Sequence, residues 1–192
     1  MDIADQQGVS DHELVAASAS GDGQAFEQLY QRYERRVYNY VRTFVRRPTL
    51  AEEAVIDTMM AVWNGARGFA GTSRVSTWIL GIARHKALDA VRRSKHDRDA
   101  APLDQADEIA DTAAAPPELA NRDHQAKLMQ DAMGRLSPDH QEILRLAFYE
   151  DLPYEDIAAL LSIPDNTVKT RVYYAKQQLR HQLAKQGVGS DS

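Results

Sequence analysis

The cations that can hold a nucleic acid gather in two stretches of this chain. Between Asn166 and Lys185 there are five Lys/Arg and no Asp/Glu, a local charge that suits phosphates. Thr167, Lys169, Thr170, Arg171, Tyr173, Tyr174 and Lys176 lie in its first half. The second stretch is FAGTSRVSTWILGIARHKALDAVRRSKHDR, Phe69 to Arg98. A loop with Gly68, Gly71, Thr72, Ser73 and Arg74 leads through Ser76 into a helix bearing Trp78, Arg84, Lys86, Arg92, Arg93 and Lys95. An aromatic beside a polar loop and a cation track is what single-stranded nucleic acid needs. Trp78 by itself reads better as core, with Ile79 and Ile82 beside it, whereas chance explains the loop and the helix cations less well. A third group, Glu52, Glu53 and Asp57, opens a helix that also carries Ile56, Met59, Met60 and Trp63. Acid there complements the helix dipole, or forms a docking surface for a basic partner helix.

Enzyme signatures are absent from the sequence: there is no GxxxxGK[ST] loop, no GxSxG elbow and no HExxH. His12, His85, His96, His124, His140 and His181 have no metal-ligand spacing and read as surface histidines. The chain has no cysteine, which excludes disulfides, thiolate metal sites and a Cys nucleophile.

The elements that must position these residues are all helical by pattern. Ser10-Asp11-His12-Glu13 is a capping box for a short helix ending near Gly21-Asp22-Gly23. Phe26, Leu29, Tyr30, Tyr33, Val37, Tyr40, Val41 and Phe44 then form one apolar stripe that ends before Pro48. A third helix buries Val55, Met59, Val62 and Trp63, and a fourth starts at about Ser76. Further on, Leu128, Ala132 and Leu136 mark a helix, and Ser137-Pro138 starts another, with Ile143, Leu144, Ala147 and Phe148 facing inward. Finally IAALLSIPDNTVKTRVYYAKQQL, Ile157 to Leu179, forms two helices across a Pro164 corner. Ala158 and Ala159 allow close approach, Ile157, Leu161, Ile163, Val168 and Val172 close a small core, and Asp165-Asn166-Thr167 can cap the second helix. Such a pair is either a DNA-reading helix-turn-helix or an αα-hairpin with a solvated basic face.

The net charge of -5 is unevenly spread. Residues 1–95 carry 13 Lys/Arg and 11 Asp/Glu, residues 96–125 carry 2 and 8, and residues 126–192 carry 8 and 9. The acid therefore belongs to the middle, where Asp97 to Asn121 is rich in Ala, Asp and Pro and lacks a helical repeat. This reads as an acidic, flexible linker over 96–125 between helical domains at 1–95 and 126–185, followed by a disordered tail at 186–192. The acidic N-terminus has no long apolar run, so neither a signal peptide nor a membrane anchor is expected. The expected class is an all-α, cytoplasmic, non-enzymatic protein of two small helical domains.

These residues together resemble the extracytoplasmic-function (ECF) branch, group IV, of the bacterial sigma-70 family. AFEQLYQRYERRVYNYV looks like the start of sigma region 2, and EEAVIDTMMAVW resembles its stretch that binds the β′ clamp helices of RNA polymerase. FAGTSRVSTWILGIARHKALDAVRR is similar to the promoter-melting loop and -10 recognition helix. LSPDHQEILRLAFYEDLPYEDIAALLSIPDNTVKTRVYYAKQQLR looks like region 4. The resemblance implies a sigma factor that binds core RNA polymerase at the β′ clamp helices and β flap and directs initiation at a promoter set. It implies promoter DNA and an anti-sigma factor as further partners, with no cofactor, no metal and no membrane insertion.

Residue by residue, Lys169, Thr170 and Tyr173 match base-facing positions for the -35 element. Arg171 and Lys176 match backbone-holding ones, and Thr167 and Tyr174 flank them. The loop Gly71 to Ser76 (Gly71, Thr72, Ser73, Arg74, Ser76) would capture a base flipped from the -10 strand. Trp78 lies beside that loop, with Arg84 and Lys86 near the strand's backbone. Glu53 and Asp57 would meet the clamp, flanked by Ile56, Met59 and Met60. Ser162 and Asn166 stand where relatives often carry Gly, and the Tyr173-Tyr174 pair is bulkier than is usual for region 4. A stand-alone helix-turn-helix repressor or activator binding operators as a dimer, and a helical interaction protein without a DNA role, are the competing readings. A repressor needs no strand-melting element.

Overall fold

The computed structural model describes residues 8–100 and 117–186. The chain divides into two compact units, Met1–Gln105 and Ala106–Ser192. The described residues form helices and turns without a strand.

In the first unit, α1 (Asp11–Ala19) opens with the capping box that its sequence announces. The Ser10 backbone N–H donates to Glu13 Oε2 at 2.8 Å, and the Glu13 N–H donates back to Ser10 Oγ at 3.3 Å. These bonds from Ser10, its backbone N–H foremost, hold the Glu13 carboxyl below the usual carboxylate range. Helix α2 (Gly23–Val41) is capped by Asp22, whose Oδ1 accepts from the N–H groups of Gln24 and Ala25. Its apolar stripe buries Leu29, Tyr33, Val37, Tyr40 and Val41, while Phe26, Tyr30 and Phe44 lie at the edges, half-buried.

Helix α3 (Pro48–Gly65) starts on Pro48, whose fixed φ suits a first helical position and whose missing N–H costs nothing there. It buries Ala51, Ala54, Val55, Thr58, Met59 and Val62. A 3₁₀ turn, Ala66–Gly68, leads to the loop 69–74 and then to α4 (Val75–Ala100). Val75, Ile79, Leu80, Ala83, Ala87 and Ala90 bury one face of α4, and its small residues bring it close to α3.

The second unit runs α5 (Pro117–Gly134), α6 (Pro138–Leu144), a π turn (Arg145–Tyr149), α7 (Tyr154–Leu161) and α8 (Asp165–Lys185). Ser137 caps α6 through the His140 N–H, with Pro138 in the first turn, as the sequence predicts. The inward set after Ile143 and Leu144 differs from expectation. Leu146 is fully buried, Ala147 is half-buried, and Phe148 and Tyr149 are 53% and 60% exposed. The cause is the π turn: the Glu150 N–H reaches back five residues to the Arg145 carbonyl at 3.0 Å, so the register advances and the aromatics swing out.

The corner before α8 also departs in detail. Ser162 takes the left-handed conformation, φ 55° and ψ 45°, while Asn166 lies inside α8 with no such demand. Pro164 occupies the N-cap position without a side-chain cap, and its carbonyl accepts from the N–H groups of Thr167 and Val168. The extended Pro164 backbone starts α8 one residue sooner than the Asp-Asn-Thr run suggests. Asp165 is left in the first turn, where it complements the dipole. Helices α4 and α5 also cover both ends of the expected linker, 96–100 and 117–125. Its centre, 101–116, and the tail beyond Gln186 lie outside the described residues.

Candidate nucleic-acid and partner interfaces

Helices α7 and α8 pack as a helix-turn-helix. Ile157, Ala158 and Leu161 bury against Val168, Val172 and Ala175. Ala158 supplies the close approach; Ala159 is exposed and Ile163 half-buried. The buried face of α8 leaves Lys169, Thr170, Tyr173, Tyr174 and Lys176 exposed, and Thr167 and Arg171 half-buried at the margin. Thr170 Oγ1 donates to the Asn166 carbonyl at 2.8 Å, which turns its methyl outward. Gln177 Nε2 donates to the Tyr173 hydroxyl at 2.8 Å, and the Tyr173 and Tyr174 rings meet edge-on at 5.5 Å.

Arg171 Nη1 lies 3.5 Å from Asp139 on α6, so this cation ties α8 to its own unit. The Lys176 ammonium sits 4.4 Å from the centroid of Phe148, one of the rings the π turn exposes. Three exposed residues escaped the sequence reading. Asn166 and Gln177 share the outward face with Thr170 and Tyr173, and Arg180 extends the flank of Lys169 and Lys176. Counting in steps of three and four from Thr170 would have found them.

In the first unit, Gly71 has φ 68°, a conformation open to glycine, and places Thr72 and Arg74 on the exposed arc of the loop with Ser73 half-buried. Ser76 corrects the sequence expectation. Helix α4 already begins at Val75, which turns Ser76 inward to 6% exposure, away from any strand on the loop. Trp78 is half-buried in a row of rings: Phe69 lies 4.7 Å away at 32°, and His12 faces Phe69 at 5.6 Å. The Trp78 ring packs against the end of α3, where a Cβ added at Gly65 would meet it in ordinary contact at 3.4 Å. His12 is exposed, as expected of a surface histidine, with one side of its ring against Phe69.

Arg84 and Lys86, two residues apart on α4, fall on opposite flanks and do not form one track. Lys86 instead joins Asp57, Asp89, Arg92 and Arg93 around a cleft of about 280 Å³. Arg93 reaches Asp57 at 3.6 Å, and Arg92 pairs with Asp89. The sequence assigns Asp57 and Lys86 to different partners; the structure puts them side by side.

The outward face of α3 carries Glu53, with Ile56 and Met60, one turn apart, 55% and 51% exposed. Ile56 borders a cleft of about 390 Å³ with Tyr30, Glu34, Arg35, Tyr38, Glu52 and Val55. Large apolar side chains in an acidic surround suit a partner helix that is apolar and basic. Met59 does not belong to this face. At 1% exposure it packs inside the bundle, because its position on α3 points it with Val55 and Val62 towards the core. Among the described residues no cluster of His, Asp or Glu is placed to hold a metal, and no helix is long and apolar enough to cross a membrane.

Among the described residues, a helix-turn-helix in one unit and a glycine-bearing loop leading into a cation-bearing helix in the other are features that suit a DNA-binding transcription factor. Comparison with known proteins narrows this. Residues 29–96 match the family model of sigma-70 region 2, and residues 126–179 match that of sigma-70 region 4. The chain is 30% identical over 174 residues to the ECF RNA polymerase sigma factor SigM of Mycobacterium tuberculosis, covering 91% of this chain and 85% of SigM. It is 29% identical to the RNA polymerase sigma factor CarQ of Myxococcus xanthus, covering 85% and 91%. In fold it is similar to CnrH, solved with the cytosolic domain of CnrY (TM-score 0.66, 23% identity, 91% of this chain and 97% of CnrH). It is also similar to RpoE of Bartonella quintana (TM-score 0.67, 22% identity, 83% and 96%). The chain belongs to the ECF sigma factors of the sigma-70 family, and is an alternative sigma factor for promoter-specific initiation.

Proposed function

We propose that this sigma factor holds its promoter at two places and core polymerase at a third, and does so without catalytic chemistry of its own, in the cytoplasm. Helix α8 enters the -35 major groove, with Lys169, Thr170 and Tyr173 towards base edges, joined by Asn166 and Gln177. Lys176, Thr167 and Arg180 hold the backbone, Tyr174 borders the base-facing set, and Arg171 does so only by leaving Asp139. The loop 71–74, backed by Trp78, takes a base flipped from the melted -10 strand, and Arg84 lies nearest that strand's backbone. Extruding a base costs a few kcal/mol, which pocket and stacking contacts must offset. Helix α3 presents Glu53, Ile56, Asp57 and Met60 to the β′ clamp helices, and the 126–185 domain meets the β flap. The domain bounds 1–95 and 126–185, joined by the acidic segment 96–125, belong to the same proposal.

One observation carries the reading: the face of α8 turned away from its core is cationic and aromatic, with no acid between Asn166 and Lys185. An anti-sigma factor is the expected regulator, supported by the complex of the similarly folded RpoE with the anti-sigma factor NepR. Run-off transcription with purified core polymerase tests the whole. Promoter-specific transcripts are expected only when the protein is added. Tight operator binding without polymerase, and no transcript with it, would favour the dimeric repressor instead.

A further inference from the structure

Helix α1 precedes the stretch matched to sigma-70 region 2, which begins at residue 29. Both of its ends are nevertheless fastened to the root of the loop 69–74. At the N-terminal end the His12 ring faces Phe69 at 5.6 Å. At the C-terminal end the Ala19 carbonyl accepts from Arg67 Nε at 2.9 Å. Phe69 lies in turn on Trp78 at 4.7 Å, so a row of rings runs from α1 across the loop root to the first turn of α4. The helix is itself well held. Asp11 accepts from Arg32 Nη1 at 2.7 Å and from the Tyr33 hydroxyl, and the capping box closes the first turn. Beyond Phe69 the loop is exposed at Ala70, Gly71, Thr72 and Arg74.

A loop ordered only when it meets its ligand loses affinity to that ordering; one fixed beforehand does not. We propose that α1 is a brace for the strand-capturing loop, with His12 and Arg67 as positioning residues for -10 recognition. Neither touches the captured base. His12 sets the tilt of Phe69 and, through it, of Trp78, and Arg67 fixes the 3₁₀ turn from which the loop departs. The inference rests on the loop being the capture element.

The test uses holoenzyme assembled from core polymerase and the full chain. The probes are a single-stranded oligonucleotide bearing the -10 sequence of a promoter that the holoenzyme transcribes, and its -35 duplex. His12→Ala should weaken the single strand by about two- to tenfold, the range of one aromatic pair, and leave the -35 duplex unchanged. Arg67→Gln should act in the same direction, and His12→Phe, which keeps a ring against Phe69, should restore binding. If His12→Ala leaves strand affinity intact while Thr72→Ala and Ser73→Ala lower it, the brace is overturned and the loop reading stands. If the loop substitutions are silent too, the capture reading falls and the brace falls with it. Equal losses on strand and duplex would make α1 a general stabiliser and overturn the positioning role.

Discussion

Replacing Ser162 by glycine should stabilise the helix-turn-helix unit. Ser162 holds φ 55° and ψ 45°, where a Cβ crowds the following carbonyl at a cost of about 1–2 kcal/mol. Glycine removes that strain but loses about 0.5–1 kcal/mol more chain entropy on folding. At mid-range, about 1.5 against about 0.75 kcal/mol, the difference is about 0.75 kcal/mol in favour of Ser162→Gly, within outer bounds of about 0 to 1.5 kcal/mol. Ser162 is exposed, so the truncation opens no cavity. For a unit of this size, such a gain raises Tm by about 2–8 °C. Differential scanning calorimetry of the full chain reads it, with amide exchange at the Ile163 N–H, bonded to the Ala158 carbonyl at 3.0 Å, assigning the shift to the corner. Ser162→Ala keeps the Cβ and separates backbone strain from the loss of the hydroxyl; its Tm should stay near that of the parent. A Tm for Ser162→Gly at or below the parent's would refute the strain account. A rise shared by Ser162→Ala would assign the effect to the hydroxyl.

Lys169→Ala should weaken binding to -35 duplex by about 1–3 kcal/mol, concentrated at one base position. A loss uniform across promoter variants, with the salt slope falling by about one, would move Lys169 to the phosphate set. Ile56→Glu combined with Met60→Glu should lower core-polymerase affinity about tenfold or more while -35 duplex binding holds, because the pair would be the apolar centre of that contact. Unchanged affinity in a titration with labelled core would displace the docking face from α3. The folded pKa of Glu13 lies below its unfolded value, so the contribution of its cap is present above the unfolded pKa and lost as pH falls through the folded one. Glu13→Gln should therefore abolish the acid-side rise in amide exchange at the start of α1; a pH profile identical to the parent's would count against the cap.

Much of the fold was legible because local chemistry and tertiary packing agree. The Ser10/Glu13 box, the Asp22 cap, the stripe from Leu29 to Val41 and the Ser137-Pro138 start each need only nearby residues. What escaped depends on register or on a second helix. The π turn leaves no mark in composition, so Phe148 was expected inside and lies outside, beneath Lys176. Ser76 was assigned to the base-capturing loop although a helix was expected from about that residue; Val75 already has a buried place and draws the helix start back to itself. Met59 was counted twice, as core and as contact, and its position on α3 allows only the first. The Asp57 and Arg93 pairing crosses from α3 to α4, and the row His12, Phe69, Trp78 crosses three elements, so no spacing along the chain announces either.

The π turn has a further consequence for how this chain tolerates change in length. It behaves as a single extra residue accommodated within a helix, not in a loop. Deleting one residue between Arg145 and Tyr149 would restore ordinary α-helical winding, and the two halves of the second unit could stay packed. The cost would fall on the outside: Phe148 would rotate off the surface and Lys176 would lose its aromatic floor. A length variant at this point would then be a well-folded protein with an altered α8 flank and no substitution on α8 itself.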